Sequence, residues 1–193
     1  CMLEFESNNR LNVRYGKKQF PSMDLLIPRV SAEPNLNTRM AILKHLEFMG
    51  YPLLNSYQSI LRAKSKLETL QILSHRQIPI VKTVVLNDVE YFDNALRYIG
   101  CFPIIMKGVY GSRGNFVTIA ESKRAAKSMY GMLAKILTDT NAILIQEYIE
   151  SGGKDLRLFV IGGKVLISME RSAAEGDFRA NVGQGGSGCP YTP

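Results

Sequence analysis

Pro103-Ile104-Ile105-Met106-Lys107-Gly108-Val109-Tyr110-Gly111-Ser112-Arg113-Gly114-Asn115-Phe116-Val117 is the stretch on which the reading of this chain turns. Three apolar residues after a proline read as a strand covered on both faces. Lys107 comes where that run ends, which places its ammonium at the rim of a sheet. Gly111 and Gly114 bracket Ser112 and Arg113, so that backbone amides can approach an anion without side chains in the way. The alternative is a plain β-hairpin whose glycines relieve turn strain and whose lysine is solvated. A Walker A loop is excluded, because there the lysine follows the glycines and opens a helix.

Outward from this stretch, the pattern is mixed. On its N-terminal side, Ile80–Leu86 is rich in β-branched residues and reads as a strand, and Val89–Ile99 as a helix closed by Gly100. On its C-terminal side, the second strand runs to Ala120. Ser122 can cap a helix reaching Leu137 with Ala126, Met129, Leu133 and Ile136 facing inward. Ala142–Gln146 is a further buried strand. Asp155–Ile161 and Lys164–Arg171 are joined by Gly162-Gly163, a two-residue hairpin signal. Beyond Arg171 the chain turns polar and glycine-rich, with no closing element predicted.

Farther upstream, Asn35–Met49 has helical spacing and stops at Gly50. Ser56–Arg62 and Lys64–Arg76 read as two more helices. Met23–Arg29 reads as a short buried strand and Tyr51–Asn55 as an extended return, a βαβ-like piece of a parallel sheet. Residues 1–22 read as irregular, with turn signals at Asn8-Asn9 and Gly16-Lys17-Lys18. His45 and His75, each among helical residues, are read as surface groups.

The 193 residues are 46% hydrophobic and 21% charged, an ordinary globular balance with no run long enough to span a membrane. Cys1, Cys101 and Cys189 are too few and too far apart for a disulfide framework or a metal site, which points to a reducing, cytoplasmic setting. The net charge of +7 favours polyanionic partners, but the basic residues are dispersed and select none.

Polar groups recur where strands end: Lys66 before the β-rich part, Lys107, Glu147 after its apolar strand, the alternating Asp155 and Arg157, then Asp177, Arg179 and Asn181. Such Asp–Arg alternation more often makes a solvated ion-pair face than an active site. The order of strand-Lys, glycine turn, strand, helix, strand-Gln-Glu-Tyr and Asp-x-Arg shifts the reading. On these residues, with Ile27-Pro28-Arg29, Arg62 to Leu67, Gln146-Glu147-Tyr148-Ile149, Asp155-Leu156-Arg157, Glu175-Gly176-Asp177-Phe178-Arg179-Ala180-Asn181 and Gly185-Gly186, the sequence resembles the ATP-grasp ligases. Within them it is similar to the RimK-like ribosomal-protein glutamate ligases.

The resemblance implies an α/β (α+β) architecture: a partial βαβ pre-domain over residues 1–55, and an ATP-grasp domain over 56–193 whose two α+β lobes hold ATP between them. It implies that Lys66 and Lys107 neutralise phosphates while Gly111, Ser112 and Gly114 fold over them as a lid. Glu147 and Tyr148 would follow the adenine edge, and Asp155 the ribose. Arg179, Ala180 and Asn181 would line the nucleotide site, with Arg179 and Asn181 at the transferred phosphate or acyl intermediate. Arg157 and Arg171 are weaker candidates for a carboxylate substrate.

The implied chemistry is ligation: an acceptor carboxylate attacks the γ-phosphate of ATP to give an acyl phosphate and ADP, and an amine such as that of glutamate displaces phosphate. The implied acceptor is a ribosomal-protein C-terminus, and the implied assembly a homo-oligomer. The family's Mg²⁺ (or Mn²⁺) ligands are expected beyond Pro193 and a complete βα unit ahead of Cys1. On that reading the sequence is part of a longer chain, inactive alone, and none of its own residues is assigned to metal. Two alternatives stand beside this: a ligase glutamylating a small cofactor or carrier protein, and a non-catalytic nucleotide- or RNA-binding module.

Overall fold

The computed structural model describes residues 2–31, 35–111, 114–137 and 142–192. The chain divides into two compact units, Cys1–Ile78 and Pro79–Pro193.

The first unit opens with an antiparallel sheet of β1 (Met2–Phe5), β2 (Leu11–Tyr15) and β3 (Lys18–Gln19), where irregular chain was expected. The turn signals were correct, with Asn9 and Gly16 at φ 66° and 62°. Between them Leu3 faces Val13 and Phe5 faces Leu11, and these apolar cross-strand pairs supply the pairing energy. Helix α1 (Leu36–Phe48) buries Leu36, Met40, Leu43 and Leu46, and Gly50 takes the left-handed conformation after it. His45, expected at the surface, is buried. Its Nε2 lies 3.0 Å from the Asn12 carbonyl, an acceptor only, so that nitrogen carries the proton, and the ring meets Phe5 edge-on. His75 is exposed, as expected.

The expected strands at 23–29 and 51–55 are reduced to one parallel bridge, Leu26 with Leu53, where the Leu26 amide donates to Pro52 O and the Leu54 amide to Leu26 O. Met23, Leu25 and Ile27 remain exposed, so this is not the buried strand that their side chains suggested. Helices α2 (Tyr57–Lys64) and α3 (Lys66–His75) follow, each started by a serine, Ser56 and Ser65, whose hydroxyl accepts an amide from the first turn.

The second unit begins with β4 (Thr83–Leu86), a 3-10 turn at Val89–Tyr91 and α4 (Phe92–Ile99), closed by Gly100 at φ 88°. Then come β5 (Ile104–Gly108), β6 (Val117–Ala120), α5 (Lys123–Ile136, capped by Ser122) and β7 (Ile143–Glu147). These strands form one antiparallel sheet in the order β4-β7-β5-β6. Alternation sorts its side chains: Leu86, Ile104, Met106, Ala120, Ile143 and Ile145 pack against Phe92, Ala95 and Ile99 of α4 and Ala126, Tyr130 and Leu133 of α5. Ile136, expected inward, is exposed, because α5 ends there. Leu137 leaves the helical conformation and packs its methyls at Gly108 instead.

A second antiparallel sheet, β10-β9-β8, is built from β8 (Lys154–Ile161), β9 (Lys164–Ser172) and β10 (Ser187–Pro190), with a 3-10 turn at Val182–Gln184. Gly162 and Gly163, at φ 57° and 76°, make the predicted tight turn. Strand β10 is a closing element that the glycine-rich sequence concealed. It pairs along β9 from Ser172 to Met169. The architecture is therefore α+β with three antiparallel sheets, and the parallel sheet expected near the N-terminus survives only as the Leu26–Leu53 bridge.

Candidate functional site

Lys107 is the next-to-last residue of β5, with Val117 and Leu144 as its cross-strand neighbours. It points away from the helix-covered face, onto the side of the sheet that also carries Ile105, Leu144 and Gln146. Leu144 is fully buried, and Gln146 donates from Nε2 to Thr83 Oγ1 at 2.6 Å. This environment is poor in water. Burial pushes the Lys107 ammonium below the ordinary lysine pKa, and among the described residues it has no hydrogen-bond or ion-pair partner. A fully solvated hairpin lysine would keep the ordinary value.

The strand leads into the glycine turn. Ser112 lies outside the described residues. Gly111 and Gly114 have φ 143° and 81°. Gly114 sits against the segment after β9: a Cβ built there would meet Asn181 Oδ1 at 3.0 Å, the Arg179 Cδ at 3.3 Å and the Gln184 Cγ at 3.3 Å. The Arg179 Nη1 donates to the Gly114 carbonyl at 3.4 Å. Thus the turn after Lys107 and the Asp-Phe-Arg-Ala-Asn segment, more than sixty residues apart in sequence, converge. Ala180 between them is buried.

Asp177, singled out in the sequence only as part of an alternation, holds Arg179 from the other side. Asp177 Oδ1 accepts from the Arg179 amide (2.9 Å) and Nε (3.0 Å), and Oδ2 from Nη2 (2.8 Å). Hydrogen bonds from the Arg179 side chain and amide drop the Asp177 carboxyl to about 2. The Asp-x-Arg spacing was the signal; that both groups clamp one another was not readable from it.

Asp155 and Arg171 stand opposite one another on β8 and β9 and form a two-pronged pair, Nε to Oδ1 at 2.7 Å and Nη2 to Oδ2 at 2.6 Å. Arg171 is thereby occupied, and Asp155 retains lone pairs on a half-buried carboxylate. Arg157 is exposed, over the Phe159 ring. Glu147 closes β7 rather than reaching toward Lys107. Its amide donates to Lys82 O and its Oε1 accepts from the Lys82 amide at 2.7 Å. Register puts its side chain on the opposite face from Lys107. Tyr148 is the first residue beyond the strand. Lys66 opens α3 in the first unit.

Two surface clefts of about 440 Å³ lie elsewhere, one lined by Asp93, Arg97, Cys101 and Lys123, the other by Arg62, Glu68, His75 and Arg76. Among the described residues no three His, Cys, Asp or Glu side chains converge as a metal site, and no helix is long and apolar enough to cross a membrane.

The sequence model of the RimK-like ATP-grasp domain matches residues 63–192. The "Probable alpha-L-glutamate ligase" of Marinomonas sp. is 35% identical over 188 residues, covering 97% of this chain and 61% of the relative. The "Probable alpha-L-glutamate ligase 2" of Pseudoalteromonas atlantica is 36% identical over 189 residues, with the same coverage. The chain therefore spans about three-fifths of the length of these relatives. In structure it is similar to a RimK domain ATP-grasp protein of Sphaerobacter thermophilus (TM-score 0.66, 23% identity, 81% of this chain and 60% of that one). It is also similar to a D-alanyl-alanine synthetase A of Vibrio cholerae (TM-score 0.64, 16% identity, 91% and 52%).

Proposed function

The chain belongs to the RimK-like ATP-grasp family, and on that premise we propose that its parent protein is an ATP-dependent carboxylate–amine ligase that adds glutamate to a carboxylate acceptor. The observation that carries the nucleotide site is Lys107, a half-buried lysine at the end of β5 beside the Gly114 turn, with no hydrogen-bond or ion-pair partner among the described residues. Partly burying an uncompensated charge costs free energy, and an anion bound there would offset that cost. A nucleotide phosphate has the right charge, and the Gly114 turn, whose left-handed φ of 81° favours glycine and where a Cβ would press on the Asn181, Arg179 and Gln184 side chains, allows close backbone approach.

When bound, ATP supplies the γ-phosphoryl group that activates the acceptor carboxylate. The chain's own residues would then divide the work. Lys107 neutralises phosphate charge, and the turn from Gly111 to Gly114 covers it and keeps water out. The backbone at Tyr148, past the ladder, follows the base. Asp155, held by Arg171, faces the ribose. Arg179 and Asn181, which meet at Gly114, stabilise charge on the transferred phosphoryl group and, after it leaves ADP, on the acyl phosphate. The amine nitrogen then attacks the acyl carbon, the amide bond forms, and phosphate leaves while the amine releases a proton. A ribosomal-protein C-terminus is the acceptor named by the resemblance.

The test is a titration of the chain with a fluorescent ATP analogue, beside Lys107→Ala and Lys123→Ala. Lys123 is exposed and paired with Asp93. The expected result is saturable binding, weakened about tenfold or more by Lys107→Ala and unchanged by Lys123→Ala. Equal losses in both variants, or salt-sensitive RNA binding with no nucleotide binding, would overturn the reading in favour of a polyanion-binding module. Radiolabelled glutamate transfer by the longer protein onto candidate acceptors then identifies the acceptor.

A further inference from the structure

Two arginines of the second unit are each braced by a carboxylate, but to different ends. In the Asp155–Arg171 pair the guanidinium ties two strands of one sheet. In the Asp177–Arg179 pair the brace lies within one turn of chain, and the guanidinium is directed outward from it. Asp177 takes the Nε and Nη2 edge and caps the Arg179 amide with the same carboxylate. Only the Nη1 side is left, and it reaches the Gly114 carbonyl at 3.4 Å. That hydrogen bond is at the long limit, and a charged oxygen placed nearer would outcompete it.

The brace is itself anchored. The Asp177 amide donates to Ala174 O, and Gln184 and Gly186 both donate to Asn181 O. A Cβ at Gly186 would lie 2.7 Å from Ser172 O and 2.9 Å from Ala180 O, so only glycine lets this loop lie so close to β9. An ordinary surface pair of the same composition would leave the arginine free to sample many rotamers.

We propose that Asp177 is a positioning residue that holds Arg179 with its remaining nitrogen aimed at the glycine turn, so that the guanidinium is already in place for the terminal phosphate of a nucleoside triphosphate. The inference rests on the nucleotide-site reading above and adds to it the residue that presets the arginine. Without the brace, Arg179 keeps its charge but must be ordered at the moment of binding. The interaction weakened is then the one with the terminal phosphate, which ATP carries and ADP does not.

The experiment is a pair of calorimetric titrations, with ADP and with adenylyl imidodiphosphate, on the wild-type chain, Asp177→Ala, Arg179→Ala and the double variant. Asp177→Ala is expected to lower the preference for the triphosphate about tenfold, with little change for ADP, and to cause no further loss in the Arg179→Ala background. Asp177→Ser, which can still cap the amide but cannot brace the guanidinium, is expected to behave like Asp177→Ala, and serves if the alanine variant does not fold. A loss shared equally by both nucleotides, a loss that persists without Arg179, or failure of both Asp177 variants to fold would mark a structural role and overturn the proposal. A preference lowered by Arg179→Ala but untouched in the Asp177 variants would overturn it alone. No nucleotide binding by the wild-type chain, or no effect of Arg179→Ala, would remove the site reading itself.

Discussion

The two sheets of the second unit are built from equally apolar strands and have opposite surroundings. In β7, Ile143, Leu144 and Ile145 are at most 1% exposed. In β8, Leu156, Leu158, Phe159, Val160 and Ile161 are between 51% and 66% exposed, and Val165, Leu166 and Ile167 of β9 between 53% and 63%. The first sheet has α4 and α5 across one face; among the described residues no helix is packed across the second. Apolar, β-branched composition therefore specifies a strand, whereas burial needs a second layer. The candidate site divides the same way. Lys107 stands on the buried sheet, where desolvation sharpens its charge. Asp155, Arg171 and the Asp177–Arg179 loop belong to the bare sheet, where hydrogen bonds and ion pairs do the positioning that packing does elsewhere. Regions held mainly by such bonds open locally at lower cost than packed cores.

The sharpest way to break this comparison is a matched pair of deletions. Ile145→Ala removes a fully buried side chain and is expected to cost about 2–5 kcal/mol of unfolding free energy, as transfer and cavity terms add. Leu158→Ala, with half of the side chain already in water, is expected to cost less than about 1 kcal/mol. Urea unfolding of both variants checks it; similar losses would mean that the second sheet is packed after all.

Lys107 should show the converse effect, stability gained where function is lost. Its pKa in the folded chain lies below the ordinary lysine value of 10.5, so the unfolded chain binds the proton more tightly and stability rises with pH as the lysine deprotonates. The cost of burying the ammonium is therefore fully present at neutral pH and fades toward pH 10.5. Lys107→Met is expected to be more stable than wild type at pH 7 by about 1 kcal/mol, with the gap narrowing in alkaline solution, while nucleotide binding falls. A variant less stable at pH 7 would argue for a compensating partner.

Asp177 has the opposite sign. Its folded value of about 2 lies below the ordinary 3.8, so its contribution is complete above pH 4 or so and is lost as the pH falls toward 2. Asp177→Asn should be less stable than wild type at pH 7 and converge with it near pH 2, as followed by urea midpoints across that range. Parallel curves would mean that the clamp is absent in solution.

What the sequence displayed and what it hid follow the same division between local and distant causes. Ser122 marked a helix start, and Gly162-Gly163 a hairpin, because each acts on its own neighbours, whereas Ser65, which caps α3, lay inside the helix expected over Lys64–Arg76. The Lys107 hairpin was readable for the same reason. The N-terminal sheet was not: its strands are short and mixed in polarity, and only Val13 is buried. Met23, Leu25 and Ile27 misled in the other direction, since apolar side chains do not reveal whether a layer exists to cover them. At the site, individual residues could be named from a family pattern, but Asp177 with Arg179, Glu147 with Lys82 and Gly114 with Asn181 are pairings made by the fold.

The smallest expected effect is the most exacting test of the contrast, because it requires almost nothing to happen to stability. Leu158 faces Ser168, and Leu166 sits in the bulge beside Val160 without a direct cross-strand partner. Threonine at either position brings a β-branched preference for an extended backbone while removing apolar surface. The double variant Leu158→Thr with Leu166→Thr should therefore stay within about 0.5 kcal/mol of wild type, yet bind measurably less of a hydrophobic dye such as ANS. The same dye should respond little to any substitution in β7, whose side chains it cannot reach without unfolding. If the double variant instead loses stability on the scale of Ile145→Ala, the β8–β9 hairpin is buried in solution, and the site it carries is held by packing rather than by its ion pairs.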